Sequence, residues 1–240
     1  MNTLPFYVYF VFGVTLLATI YFFYKATKSS RSGLILIIFW IIFQSVLGLS
    51  GFYLRTDIIP PRFPLIIFPP IILIIMLFIT KKGRQFIDSL DIKILTLLHI
   101  IRIPIELVLF WLFIHKAVPQ LMTFEGRNFD IFSGITAPII YYFGFIKNKL
   151  ALPTIIAWNF ICLALVINVA VNGLLSAPTP LQRLAFEQPN IAIQYFPFIL
   201  LPSVVVPLVI FSHFVSIKQL IAKIKNHNLN NDSYPSPPEM

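Results

Sequence analysis

Long apolar runs separated by short polar stretches fill most of this 240-residue chain. Each run approaches the roughly 20 residues that a helix needs to cross the hydrocarbon core of a bilayer. The chain is 58% hydrophobic and 11% charged, whereas an ordinary soluble domain is about 25% charged. A chain of this length cannot bury so much apolar surface away from water, so lipid must cover most of it. The sequence therefore predicts an all-α integral membrane protein.

The apolar runs predict a bundle of seven transmembrane helices over residues 1–225. The predicted spans cover residues 5–23, 33–53, 63–80, 94–114, 131–146, 151–176 and 191–217. The polar, Asn- and Pro-rich residues 226–240 are predicted to form a disordered tail. Two adjacent prolines, Pro69 and Pro70, remove two backbone donors from the third span. Either a kink or a break at a cavity accommodates them, and the sequence leaves both open.

Basic residues mark alternate loops and predict the orientation of the bundle. With the N-terminus outside, the loops assigned to the inside hold Lys25, Lys28, Arg31, Lys81, Lys82, Arg84, Lys93, Lys147, Lys149, Lys218, Lys223 and Lys225. The loops assigned to the outside hold only Arg55, Arg62, Lys116, Arg127 and Arg183. This excess follows the positive-inside rule and predicts a cytoplasmic C-terminus. Because the basic residues cluster between apolar runs, the net charge of +9 does not indicate nucleic-acid binding.

The fourth span carries a polar stripe. At about 100° per residue, Thr96, His99, Arg102 and Glu106 fall within a wedge of roughly 120°. An unpaired charge at the bilayer centre costs about 3 kcal/mol on insertion scales, and the four-residue spacing of Arg102 and Glu106 favours direct pairing. The stripe is either a buried ion pair that fixes helix packing or a site for a ligand, a proton or a reaction. For the second case, we assign proton transfer to Glu106 and His99.

The loop before the fifth span is dense in hydrogen-bonding side chains. Glu125, Arg127, Asn128 and Asp130 fall within six residues, and Gly126 allows a tight turn. Asp130 or Asn128 is expected to cap the fifth helix. The free amides at that helix end, together with Arg127, suit a carboxylate or phosphate group. The alternative is a helix cap with an exposed salt bridge.

Two asparagines near the outer end of the sixth span lie at the level of this loop. Asn168 and Asn172 are one helical turn apart, whereas Asn159 and His213 lie deeper toward the inside and are assigned elsewhere. The predicted ligand-binding residues are therefore Arg102, Glu125, Arg127, Asn128, Asp130, Asn168 and Asn172.

Familiar catalytic and cofactor motifs do not occur in the chain. There is no Gly-x-x-x-x-Gly-Lys loop, no His-Glu-x-x-His and no Gly-x-Ser-x-Gly. The single cysteine, Cys162, lies in an apolar run, so no disulfide forms within one chain. His115 falls on nearly the opposite side of its helix from His99. We therefore predict neither a metal site nor a cofactor.

The run from Pro119 to Thr136, Pro-Gln-Leu-Met-Thr-Phe-Glu-Gly-Arg-Asn-Phe-Asp and onward through Ser133 and Gly134, resembles a segment of uncharacterised multi-pass bacterial membrane proteins. The resemblance extends to the preceding helix from His99 to Glu106. It implies no activity. It does imply a bacterial cytoplasmic (inner) membrane as the location.

Three functions are compatible with these features. The first is a transporter or ligand-binding protein whose buried polar site lies near the extracytoplasmic side. The second is an intramembrane enzyme that acts on a lipid-linked substrate. The third is a structural or assembly subunit whose charges pair with a partner helix. The expected partners are membrane lipids, an anionic or lipid-linked ligand, and either further copies of the chain or another membrane subunit.

Overall fold

Helices form the regular structure of residues 4–55 and 62–232, the parts of the chain that this computed structural model describes, and no β-strand occurs in them. The main helices are α1 (Phe6–Ala26), α2 (Arg31–Leu49), α3 (Pro64–Ile79), α4 (Lys81–Ser89), α5 (Ile92–Leu98), α6 (Arg102–Ile114), α7 (Ile131–Ile140), α8 (Leu152–Leu175) and α9 (Val206–Asp232). Short 3-10 turns cover Phe52–Leu54, His99–Ile101, Gln120–Met122 and Ala192–Gln194, and wider π turns cover Tyr141–Ile146 and Leu201–Val205. The all-α prediction is confirmed.

Within the described residues, five helices are long and apolar enough to cross a membrane. They are α1, α2, α8, the joined α5–α6 segment Ile92–Ile114, and Leu201–Asn226. A sixth crossing results if α3 and α4, which meet at 93°, count together, and the apolar segment Ile131–Ile146 is shorter. Several helices thus have the length and composition to span a bilayer, while the seven-span arrangement stays a prediction.

The third predicted span bends at its end rather than at its two prolines. Pro69 and Pro70 both lie inside α3, which continues through them to Ile79. The sharp turn follows at Thr80, whose Oγ1 accepts a hydrogen bond of 3.1 Å from the backbone N–H of Gly83 and so caps α4. A Cβ atom on Gly83 would lie 2.3 Å from the carbonyl oxygen of Leu77. The turn therefore requires glycine at this position.

The α5–α6 segment lies at the centre of the bundle. It packs against α1, α7 and α9, and α8 packs along α9. Helix α2 is peripheral, since only Gln44 and Gly48 are buried on it. Helix α9 continues to Asp232, so helix occupies the first part of residues 226–240, for which the sequence predicts a disordered tail. Residues 233–240 of that prediction lie outside the described residues.

Helix α7 begins inside the bundle and not at its end. Its first turns lie against Arg102, which precedes the C-terminal end of α6 at Ile114 by about 18 Å at a rise of about 1.5 Å per residue. Residues 115–130 must therefore fold back along α6, and Val118, Thr123 and Asn128 are buried on the way. Irregular backbone at such depth is tolerated in a membrane protein when other parts of the protein cover it.

The close approach of α7 to α6 depends on Gly134. A Cβ atom at this position would lie 2.8 Å from Cγ1 and 3.0 Å from the backbone nitrogen of Ile103. We predict that Gly134→Ala lowers the free energy of unfolding by about 1–3 kcal/mol, because α7 must shift away from α6. Thermal unfolding in detergent measures the change. Gly13→Ala is the control, since no atom lies within 4 Å of that position; an equal loss in both variants would contradict the prediction.

Candidate functional site

Arg102 joins three helices in the middle of the bundle. Its Nε lies 3.1 Å from Oδ2 of Asp130 at the start of α7, and its Nη2 donates a hydrogen bond of 3.3 Å to the carbonyl oxygen of Cys162 on α8. Arg102 is 2% exposed and Asp130 is 5% exposed. The expected direct pairing of Arg102 with Glu106 is wrong. The folded-back residues 115–130 bring Asp130 to the guanidinium instead.

Glu106 is buried with a neutral partner. The side-chain amide of Asn128 lies 2.7 Å from both carboxyl oxygens of Glu106 and also donates to the carbonyl oxygen of Met122 at 2.9 Å. Glu106 is 1% exposed, and it forms no ion pair with any of the described residues. Asn128 in turn accepts a hydrogen bond of 2.9 Å from the backbone N–H of Asp130. The loop thus supplies partners to two neighbouring turns of α6.

Two histidine rings stack one helical turn before Arg102, one from the 3-10 turn that precedes α6 and one from α9. The rings of His99 and His213 lie 3.9 Å apart, centre to centre, and within 10° of parallel. The indole of Trp158 on α8 packs edge-on against both rings, at 5.7 Å and 5.8 Å. Its Nε1 donates a hydrogen bond of 2.9 Å to Oγ1 of Thr136 on α7. The stack therefore connects α7, α8 and α9 to the central helix.

The hydrogen bonds of Asn159 determine which nitrogen of His213 is the donor. The side-chain Nδ2 of Asn159 donates to the carbonyl oxygen of Ile155, so its Oδ1 faces His213 and accepts from Nδ1–H at 2.9 Å. In the neutral ring, Nε2 is then an acceptor. This assignment follows from the hydrogen-bond network.

Five buried nitrogen atoms of this cluster have no hydrogen-bond partner in residues 4–55 and 62–232. They are Nδ1 and Nε2 of His99, Nε and Nη1 of Arg102 and Nε2 of His213, and of these only Nε of Arg102 has an ion-pair contact, with Asp130. An unsatisfied buried polar group costs about 1–3 kcal/mol. We name His99, Arg102, Glu106, Asn128, Asp130, Trp158, Asn159 and His213 the buried polar cluster. Its free nitrogens are suited to a group that brings its own donors and acceptors.

The remaining predicted site residues lie outside this cluster, and three of them connect the loop to α8 by hydrogen bonds. Glu125 and Arg127 are exposed. The backbone carbonyl of Arg127 accepts a hydrogen bond of 2.9 Å from Nδ2 of Asn168, whose Oδ1 accepts from Nδ2 of Asn172 at 3.2 Å. These contacts fix the loop to α8. The structure therefore brings together five of the predicted residues and leaves Glu125, Arg127, Asn168 and Asn172 outside the buried polar cluster.

The expected side-chain capping of α7 by Asp130 or Asn128 is wrong, since neither side chain accepts a hydrogen bond from a backbone amide of α7. Asp130 occupies the capping position, but its carboxylate makes no hydrogen bond to the first backbone amides of α7. It turns toward Arg102 instead and accepts a hydrogen bond of 3.4 Å from Oγ of Ser133. The charged guanidinium is the stronger partner in a buried site.

Asn159 and His213, which the sequence analysis assigned elsewhere, belong to the cluster. The sequence contains a signal that could have placed His213 near His99, namely the distance of each histidine from the lysine at the end of its helix. His99 follows Lys93 by six residues and His213 precedes Lys218 by five, which places both rings at similar depth.

Among the residues that the structure describes, no group of three or more His, Cys, Asp or Glu side chains is arranged to hold a metal ion.

A family model described as a domain of unknown function (DUF8737) matches residues 59–221. The matched region contains every residue of the buried polar cluster. No curated protein and no solved structure matches the chain.

The buried ion pair gives a test of how the cluster is held together. We predict that Arg102→Met or Asp130→Leu alone lowers the free energy of unfolding by about 3–5 kcal/mol, because each leaves a buried charge unpaired. The double variant should regain most of this loss. Denaturation of the four proteins in mixed micelles measures the coupling. Additive losses in the double variant would show that the two side chains do not stabilise each other.

Proposed function

Because the chain belongs to the DUF8737 family, whose description states no activity, we propose its function from the buried polar cluster: a membrane transporter that moves a small anionic solute together with a proton. The cluster lies deep in the helix bundle and contains two carboxyl groups, a guanidinium and two imidazoles. Ionisable residues at such positions are costly in a membrane and mark ion or substrate pathways.

The observation that carries the proposal is the environment of Glu106. Its carboxyl group is buried, and its partner is the neutral amide of Asn128 at 2.7 Å. A charge held in low dielectric without a cation is unfavourable, whereas a protonated carboxyl group accepts and donates hydrogen bonds at little cost. Glu106 therefore has the properties of a proton-binding site. Its neighbour Arg102 pairs with Asp130 instead, at 3.1 Å.

The unpartnered nitrogens supply the solute contacts in this proposal. Arg102 directs Nε to Asp130 and Nη2 to a backbone carbonyl, which leaves Nη1 for an anionic group. The two nitrogens of His99 are also free and lie one helical turn away. In the neutral ring, one of them is a donor and the other an acceptor. A carboxylate or phosphate bound here would satisfy donors that the described part of the chain leaves free.

The folded-back residues 115–130 act as the outer gate of the proposed transporter. They are tied to the centre of the bundle through Asn128 and Asp130, both of which contact α6 side chains. Protonation of Glu106 weakens its attraction for the Asn128 amide, and a bound anion competes with Asp130 for Arg102. Each event weakens one of the two contacts that hold residues 115–130 against α6. The proton and the solute are thereby coupled to movement of the same segment.

The proposal includes the predicted topology of seven spans, an outside N-terminus and a cytoplasmic C-terminus in the inner membrane of a bacterium. The asymmetry of the basic residues supports the orientation. The apolar segment Ile131–Ile146 supplies the additional crossing. It is short because α7 begins at the level of Arg102, and the folded-back residues occupy the outer part of that crossing.

A transport assay separates Glu106 from an ordinary surface carboxylate. We predict that proteoliposomes loaded with a pH-sensitive dye acidify internally when small carboxylates or phosphates are added outside, and that Glu106→Gln abolishes this acidification, because the amide binds no exchangeable proton. Dye fluorescence, corrected for protein-free liposomes, measures proton entry, which is needed because one proton carried with a monovalent anion moves no net charge. Glu125→Gln is the matched control, since that carboxylate is exposed. Acidification that persists in Glu106→Gln, or its absence across the whole panel, would reject the transport proposal.

Single-cysteine labelling tests the orientation of α8. We predict that Glu187→Cys in a Cys162→Ala background reacts with a membrane-impermeant maleimide in intact cells, whereas Lys149→Cys reacts only after lysis. The two exposed positions lie beyond opposite ends of α8. The native Cys162 is buried and unpaired, so its removal leaves a clean background. The reverse pattern would invert the proposed topology.

A further inference from the structure

An apolar groove lies between α2, α3 and the start of α9, on residues other than those of the buried polar cluster. It encloses about 530 Å³, within the roughly 300–1,000 Å³ of typical small-molecule sites. Its walls consist mainly of aliphatic and aromatic side chains and prolines. They include Trp40, Pro69, Pro70, Leu73, Pro207 and Phe211.

The groove forms where the prolines of α3 face the π turn that precedes α9. Pro69 and Pro70 line it from α3, and Ser203 and Pro207 line it from the π turn and the first turn of α9. Nε1 of Trp40 on α2 donates a hydrogen bond of 2.9 Å to the carbonyl oxygen of Ser203. The prolines, the π turn and this hydrogen bond therefore shape a concave surface.

The groove has the depth of one bilayer leaflet. Its lining extends along α2 from Gly33 to Trp40 and along α3 from Leu77 back to Pro69. At about 1.5 Å per residue these segments are roughly 10 and 12 Å long, and half of a hydrocarbon core is about 15 Å. The end at Gly33 is the end at which the basic α1–α2 turn lies. An occupant would thus enter along one leaflet with its polar end at that turn.

Positive charge surrounds this end of the groove. Ser30, Ser32 and Phe86 line it; Lys28 and Arg31 are exposed in the turn around Ser30, and Lys81, Lys82 and Arg84 are exposed on α4 around Phe86. The nearby carboxylate of Asp88 is already paired with Lys218. Basic residues at a membrane surface attract anionic lipid headgroups. The positive charge therefore favours anionic amphiphiles among those whose acyl chain fits the groove.

We propose that this groove binds one acyl chain of an anionic phospholipid, with the headgroup held by Arg31 and the basic face of α4. The apolar walls hold the chain, and the lysines and arginines distinguish an anionic from a zwitterionic headgroup. The site does not involve Glu106 or the transport proposal. In this proposal, the exposed surface of α2 and α3 binds a specific lipid rather than making only general contact with the bilayer.

Photo-crosslinking of the full chain in nanodiscs tests the site. The probes are phosphatidylglycerol and phosphatidylcholine with the same diazirine-bearing acyl chain, each competed with unlabelled phosphatidylglycerol, and the labelled peptides are mapped by mass spectrometry. We expect phosphatidylglycerol to label α2 and α3 at groove-lining positions, and unlabelled phosphatidylglycerol to suppress the labelling. Equal labelling by both probes, or labelling that competition does not reduce, would overturn the proposal.

A matched pair of variants on α3 tests the acyl-chain contact. Leu73 lines the groove and is 42% exposed, whereas Ile75 is 49% exposed and does not line it. Leu73→Trp should lower labelling about fivefold or more by filling the space that the chain occupies, and Ile75→Trp should leave it unchanged. An equal loss in both variants would overturn the proposal. Elution profiles confirm that both remain folded, and competition on the wild-type protein gives an answer independent of the variants.

A second pair of variants tests the headgroup contact. Arg31→Gln combined with Lys82→Gln should reduce the preference for phosphatidylglycerol to that of the zwitterionic probe, whereas Lys149→Gln, on the turn between α7 and α8, should retain it. Glu106→Gln should label like the wild type, which separates failure of this site from failure of the transport proposal. An unchanged preference in the Arg31 and Lys82 double variant would overturn the assignment of the headgroup.

Discussion

The ion pair between Arg102 and Asp130 is the interaction on which the centre of this structure depends. It requires that residues 115–130 fold back into the bundle, since Asp130 otherwise lies at the far end of α6. That path brings Asn128 to Glu106 and starts α7 beside Arg102, where Gly134 permits direct contact with Ile103. In an apolar surrounding, neither charge is stable without the other. The pair therefore fixes the chain path as well as the charge balance.

The polar groups of the bundle form a connected layer. The π turn at Ser203, immediately before α9, lines the apolar groove, and His213, less than three helical turns later on α9, stacks on His99. On α8, Cys162 accepts the hydrogen bond from Arg102, while Trp158 packs against both imidazoles. A displacement of α9 therefore changes the shape of the groove and the position of His213 together. This link gives a physical route by which a bound lipid would affect the buried site.

Much of the centre could be predicted from the sequence, because helical periodicity and the cost of buried charge act locally. The stripe of Thr96, His99, Arg102 and Glu106 is buried, as its common face implies. The partner of Arg102 could not be predicted, because it depends on a loop that folds back over many residues. Helical periodicity also places Glu106 and Arg102 on adjacent turns, but it does not identify the side chains of the loop or of other helices that contact them. His213 was assigned elsewhere because its spacing from Lys218 indicates its depth but not that its ring stacks on His99.

The 93° bend between α3 and α4 fixes the position of α3, one wall of the groove, relative to α4. Helix α4 is short and strongly amphipathic, with basic residues on its exposed side, and such a helix lies in the plane of the interface. Because the bend at Thr80 is capped and Gly83 packs against Leu77, α3 cannot slide along the membrane normal without moving α4. If α4 lies in the interface, the mouth of the proposed lipid site stays level with the headgroups when the bilayer thins or thickens. Hydrophobic mismatch must be absorbed at the opposite ends of the helices.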